Sequence, residues 1–80
     1  MSVSLAILGC GNIGSAIAKG LDKSGKYDKR KITLTRRKVE QISEFQSVGF
    51  QTTDDNVTTV KNAEVILLTV GPGQLIGLLD

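Results

Sequence analysis

The stretch Val3-Ser4-Leu5-Ala6-Ile7-Leu8-Gly9-Cys10-Gly11-Asn12-Ile13-Gly14-Ser15-Ala16-Ile17-Ala18-Lys19-Gly20-Leu21 changes its hydrophobic period once, at its glycines. Before them, Val3–Leu8 is a short apolar run, the pattern of a buried strand. After them, Ile13, Ala16, Ile17, Gly20 and Leu21 follow the i, i+3, i+4, i+7, i+8 spacing that gathers small and apolar groups on one helical face. Ser24-Gly25 supplies the stop, because glycine accepts the left-handed conformation at a helix terminus.

The same alternation continues outward. Lys31–Thr35 predicts a second strand rich in β-branched residues. A helix is expected over Lys38–Val48, with Val39, Ile42, Phe45 and Val48 inward and Gly49 at its end. Phe50–Thr53 predicts a third strand, and Asp54 or Asp55 would cap a short helix bearing Val57 and Val60. Val65–Val70 is nearly all apolar, as a parallel strand covered on both faces requires, and Pro72 can open a last helix. Strands and helices joined so closely argue for an α/β fold with a doubly wound parallel sheet of about four strands, since right-handed crossovers are nearly obligatory.

Gly9-Cys10-Gly11-Asn12-Ile13-Gly14 is a G-x-G-x-x-G hexad. Its position between a strand and a helix marks a Rossmann-like dinucleotide-binding turn. Gly9 would make the turn, Gly11 would let backbone approach a pyrophosphate, and Gly14 would let the helix pack closely on the strand. Amides near Asn12 and Ile13, aided by the helix dipole, would attract the phosphates.

About 20 residues beyond this turn, a reader of NAD carries an acid that bonds the ribose 2′-hydroxyl. Here the second strand ends in Thr35-Arg36-Arg37-Lys38, with no carboxylate before Glu40. Guanidinium groups bond a 2′-phosphate with charge assistance and stack on adenine, so NADP(H) is expected in preference to NAD(H). Thr35 would add a hydroxyl or merely end the strand. Cys10 sits at a helix start but has no partner base, and reads as a small side chain in a tight turn.

Composition narrows the rest. The chain has 80 residues, 40% hydrophobic and 22% charged, the proportions of a globular domain. No apolar run approaches the ~20 residues of a membrane span, and Met1-Ser2-Val3-Ser4 has no basic leader, so a cytoplasmic protein without membrane contacts is expected. One cysteine and no histidine exclude an internal disulfide, a zinc site and a Ser-His-Asp triad within these residues. Residues 26–38 hold seven of the ten basic side chains against Asp28 alone, a patch that invites an anionic partner. Nucleic acid is not expected there, because Tyr27, Phe45 and Phe50 form no stacking platform.

Ile7–Leu21 resembles the opening of pyrroline-5-carboxylate reductases, and the similarity continues in Asp55-Asn56, Ala63–Leu68 and Val70-Gly71-Pro72. The resemblance implies NAD(P)H-dependent reduction of 1-pyrroline-5-carboxylate, a small imine, to proline. By position it implies Leu8–Ile13 for the phosphates, Thr35, Arg36 and Arg37 for the adenosine 2′ region, Asn56 beside the adenosine, and Val70, Gly71 and Pro72 on the nicotinamide side. Gly71 stands where that family usually has lysine. The resemblance further implies that residues 1–80 are the N-terminal part of the cofactor domain. The C-terminal helical domain that forms the dimer and holds substrate would then lie elsewhere, so no catalytic residue is expected in these 80 and the stretch alone would not turn over. Another NADP-dependent dehydrogenase, a deazaflavin-dependent NADP reductase and a non-enzymatic basic binding domain are the alternatives on the same residues.

Overall fold

The computed structural model describes residues 4–69. The predicted last helix, the end of the predicted fourth strand at Val70, and the candidates Val70, Gly71 and Pro72 lie outside the described residues. Four strands, β1 (Leu5–Leu8), β2 (Ile32–Thr35), β3 (Gln51–Thr53) and β4 (Val65–Leu68), alternate with helices α1 (Asn12–Ser24), α2 (Ser43–Ser47) and α3 (Asn56–Asn62). All pair in parallel in the order β3-β2-β1-β4, an α/β Rossmann-like sheet. The chain steps outward from β1 to β3, then returns past β1 to β4. That reversal makes the carboxyl ends of β1 and β4 the topological switch point, where open α/β sheets form their crevice.

Register explains the core. Leu5 pairs with Ile32 and Ile7 with Leu34, so these four side chains share one face. There Ile7, Ile32 and Leu34 join Ala18 of α1, Ile42, Phe45 and Phe50, with Leu5, Ile17 and Leu21 packed against them. Phe45 and Phe50 meet edge to face, centroids 5.8 Å apart, a favoured aromatic geometry. The alternate residues Ala6 and Leu8 are buried on the opposite face, where α3 crosses β1 and β2. Gly25 ends α1 at φ 67°, as the sequence predicts.

Two expectations change, for the second helix and for β4. The helix over Lys38–Val48 is instead a 3-10 turn, Val39–Ile42, followed by the short α2. Val39, Ile42 and Phe45 recur at a strict interval of three, which keeps one face aligned at three residues per turn and drifts at 3.6. Val48, expected inward, is exposed because α2 ends before it. The short helix bearing Val57 and Val60 forms as expected, as α3, and its buried side chain is Thr59, with both valines exposed. Among the described residues nothing covers both faces of strand β4: Val65, Ile66 and Leu68 are exposed and only Leu67 packs on the core.

The basic loop before β2 is more ordered than a solvated connection. Asp28 caps a 3-10 turn over Lys29–Lys31 by accepting from the Arg30 amide at 3.0 Å, and Lys29 Nζ meets Asp22 Oδ1 at 2.6 Å. Arg30 holds the Asp28 carboxyl below its ordinary range, through its side chain first and its amide second.

Candidate functional site

The site begins where β1 ends. Gly9 has φ 72°, the left-handed region that a side chain rarely tolerates, and it turns the chain sharply toward α1. Thr35, the last residue of β2, is buried, and its hydroxyl accepts from the Gly9 amide at 3.1 Å. Its carbonyl accepts from the Cys10 amide at 2.7 Å. From the other side the Thr69 hydroxyl shares its one proton between the carbonyls of Leu8 at 2.9 Å and Gly9 at 3.0 Å. The Gly11 amide folds back onto Gly9 O at 2.7 Å.

The amides of Gly9, Cys10 and Gly11 are therefore bound within the protein. The first backward bond of α1 is from Ser15 to Gly11 O at 2.8 Å, so Asn12, Ile13 and Gly14 precede the helical ladder. No described side chain caps them. Asn12 and Ile13 are exposed, Ile13 by 67%, at the positive end of the helix dipole. Of the predicted backbone Leu8–Ile13, the open donors lie at its far end.

The two other glycines differ in what surrounds them. A Cβ on Gly11 would meet nothing nearer than Gly9 O at 3.8 Å, so the protein itself leaves that position open. A Cβ on Gly14 would fall 2.8 Å from Thr69 Oγ1 and 3.3 Å from Ile7 Cγ2. Gly14 thus admits both β1 and the hydroxyl that follows β4. Cys10 is fully buried, and burial pushes its thiol up against the opposing pull of the Ser15 hydroxyl and the Arg36 charge. That keeps it a neutral packing group, consistent with the small-side-chain reading.

At the end of β2, the Arg36 amide donates to Thr53 O at 3.2 Å. Its guanidinium Nη1 donates to Cys10 O at 3.1 Å. The half-buried arginine thereby lies against the glycine turn, with Arg37 exposed beside it. Asn56 opens α3 at the same carboxyl edge, and its Oδ1 is buried with no hydrogen-bond partner among the described residues. Asp55 caps that helix, accepting from the Thr58 amide at 3.1 Å. A separate groove of about 270 Å³ runs along the α3 side of β2 and β3, past Thr33, Gln51 and Asn62, and contains none of the glycine turn.

Thr69 was not singled out from the sequence. The available signal was a hydroxyl directly after the apolar Val65-Ile66-Leu67-Leu68 run, but nothing local said which strand end it would face.

Residues 4–80 match the family described as NADP oxidoreductase, coenzyme F420-dependent. The chain belongs to that family. It is 40% identical over 76 residues to pyrroline-5-carboxylate reductase 1 of Dictyostelium discoideum, covering 95% of this chain and 14% of the relative. It is also 40% identical over 78 residues to pyrroline-5-carboxylate reductase 2 of that organism, covering 96% of this chain and 26% of the relative. A solved structure of a pyrroline-5-carboxylate reductase from Coxiella burnetii superposes with a TM-score of 0.85 at 32% identity, over 95% of this chain and 28% of that one. The chain therefore spans little more than a quarter of the length of these relatives, at most. No helix among the described residues is long and apolar enough to cross a membrane.

Proposed function

We propose that this chain is the dinucleotide-binding part of an NADP(H)-dependent oxidoreductase that reduces 1-pyrroline-5-carboxylate to proline. The observation that carries the reading is the pairing of open amides at the start of α1 with Arg36 held against the same turn, at a strand end without a carboxylate. The residues fit such a cofactor. Asn12 and Ile13 amides take the pyrophosphate, and the space at Gly11 lets it approach. Arg36 and Arg37 take the 2′-phosphate, with N–H groups of the Arg36 fork left over after the bond to Cys10 O. The orphaned Asn56 Oδ1 takes a donor from the adenosine side. Thr35 serves through the turn, because its buried hydroxyl is committed to Gly9.

Once bound, the cofactor would supply a hydride for the imine carbon while the nitrogen takes a proton from water, and the protein supplies orientation. Residues 1–80 act as the N-terminal part of a cofactor domain, in this reading, with the substrate-binding and homo-oligomer-forming region elsewhere in a cytoplasmic protein. The 14% to 28% shares of the relatives' lengths support that division.

The test is a paired titration of the intact protein and its Arg36→Glu variant with NADPH and NADH. Wild type is expected to bind NADPH more tightly, and Arg36→Glu to lose NADPH affinity by about tenfold or more with NADH much less changed. Equal weakening of both removes the 2′-phosphate assignment. Proline formation from the imine with NADPH tests the substrate. Reduction of a deazaflavin in its place would select the reaction described by the family name.

A further inference from the structure

Each of the two peptide groups flanking Gly9 is held at both ends. In the Leu8–Gly9 peptide, the carbonyl accepts from the Thr69 hydroxyl at 2.9 Å and the Thr69 amide at 3.1 Å, while the amide donates to Thr35 Oγ1 at 3.1 Å. In the Gly9–Cys10 peptide, the carbonyl accepts from the Thr69 hydroxyl at 3.0 Å and the amide donates to Thr35 O at 2.7 Å. Thr35 takes both amides and Thr69 holds both carbonyls. These threonines end, or directly follow, the two strands flanking β1. The missing Cβ of Gly14 is what makes room for the Thr69 hydroxyl.

A glycine at φ 72° has little intrinsic preference for that conformation over its neighbours, so its direction must be imposed from outside. We propose that Thr35 and Thr69 are positioning residues that clamp the two Gly9 peptides and thereby aim the open Asn12 and Ile13 amides at a bound pyrophosphate. This rests on the reading that those amides hold the dinucleotide. The clamp touches no part of the cofactor that differs between NADPH and NADH, so it acts on both alike. Arg36, in contrast, acts on one.

The experiment measures NADPH and NADH affinity and thermal unfolding in the intact protein carrying Thr69→Val, Thr69→Ser or Thr69→Ala. Valine keeps the shape and removes the donor, leaving two carbonyls without the hydroxyl. Loss of one such hydrogen bond predicts about tenfold weaker binding of both dinucleotides, with their affinity ratio unchanged. Serine restores the hydroxyl and is expected to remain within about twofold of wild type. Should Thr69→Val fail to fold, Thr69→Ala relieves the crowding near Gly14 and carries the same expectation. A folded valine or alanine variant with wild-type affinity overturns the clamp, as does a serine variant as weak as valine. A changed NADPH-to-NADH ratio also overturns it. Wild-type protein that binds neither dinucleotide overturns the cofactor reading and the clamp with it.

Discussion

Helices α1 and α3 start at the same edge of the sheet and are built in opposite ways. At α3, the Asp55 carboxylate accepts from the Thr58 amide at 3.1 Å, and the Thr59 hydroxyl bonds Asp55 O at 2.7 Å. That helix supplies its own anion to its first turn. At α1, Gly11 stands at the cap position with no side-chain bond, and the exposed residues Asn12 and Ile13 have no acidic neighbour in the first turn. A buried capping carboxylate would have repelled a phosphate. The difference teaches that a helix terminus left unsatisfied beside a rigid, fully hydrogen-bonded turn is arranged for something from outside.

The sharpest way to break the comparison is Gly11→Val. The protein leaves this position open, so the variant should unfold like wild type yet lose on the order of 100-fold in dinucleotide affinity by steric overlap. Intact binding by titration would remove the glycine turn from the site. Gly14→Ala probes the packing side of the same turn. Its Cβ meets Thr69 Oγ1 at 2.8 Å, and overpacking of that kind should lower stability by about 1–3 kcal/mol in denaturant unfolding. An unchanged midpoint would show that β1, α1 and Thr69 yield to the extra atom.

The smallest effect belongs to the self-capped helix. Asp55→Ala should lower the melting temperature by a few degrees and leave dinucleotide affinity unchanged. The Thr58 amide, then the Thr58 hydroxyl, hold the Asp55 carboxyl below its ordinary value. A lowered folded pKa means that the stabilisation is fully present above the unfolded pKa and is lost as pH falls through the folded value. The gap between wild type and Asp55→Ala should therefore be constant near neutrality and close at acid pH. A gap that persists in acid would mean that the cap does not act through its charge.

Much of this was legible along the chain, for a physical reason in each case. The change of period at Gly9 placed β1 and α1, because a strand and a helix expose different faces of the same apolar residues. Asp55 was one of two readable caps, since a carboxylate before a short helical pattern has few other roles. The stretch Lys38–Val48 misled, because an interval of three suits a 3-10 turn as well as a helix over one or two turns. The apolar β4 is exposed among the described residues, because composition says that a strand can be buried, not which neighbours cover it.

The sequence by itself determined the order of strands and helices, the hexad at their first junction, and a basic strand end without an acid. These are local facts, set by neighbours within one or two turns of chain. Only the tertiary structure decided that Thr35, 26 residues from Gly9, and Thr69, 60 residues away, close on the same two peptides. Parallel pairing on both sides of β1 aligns those strand ends, and no spacing along the chain records which residues a sheet will bring side by side.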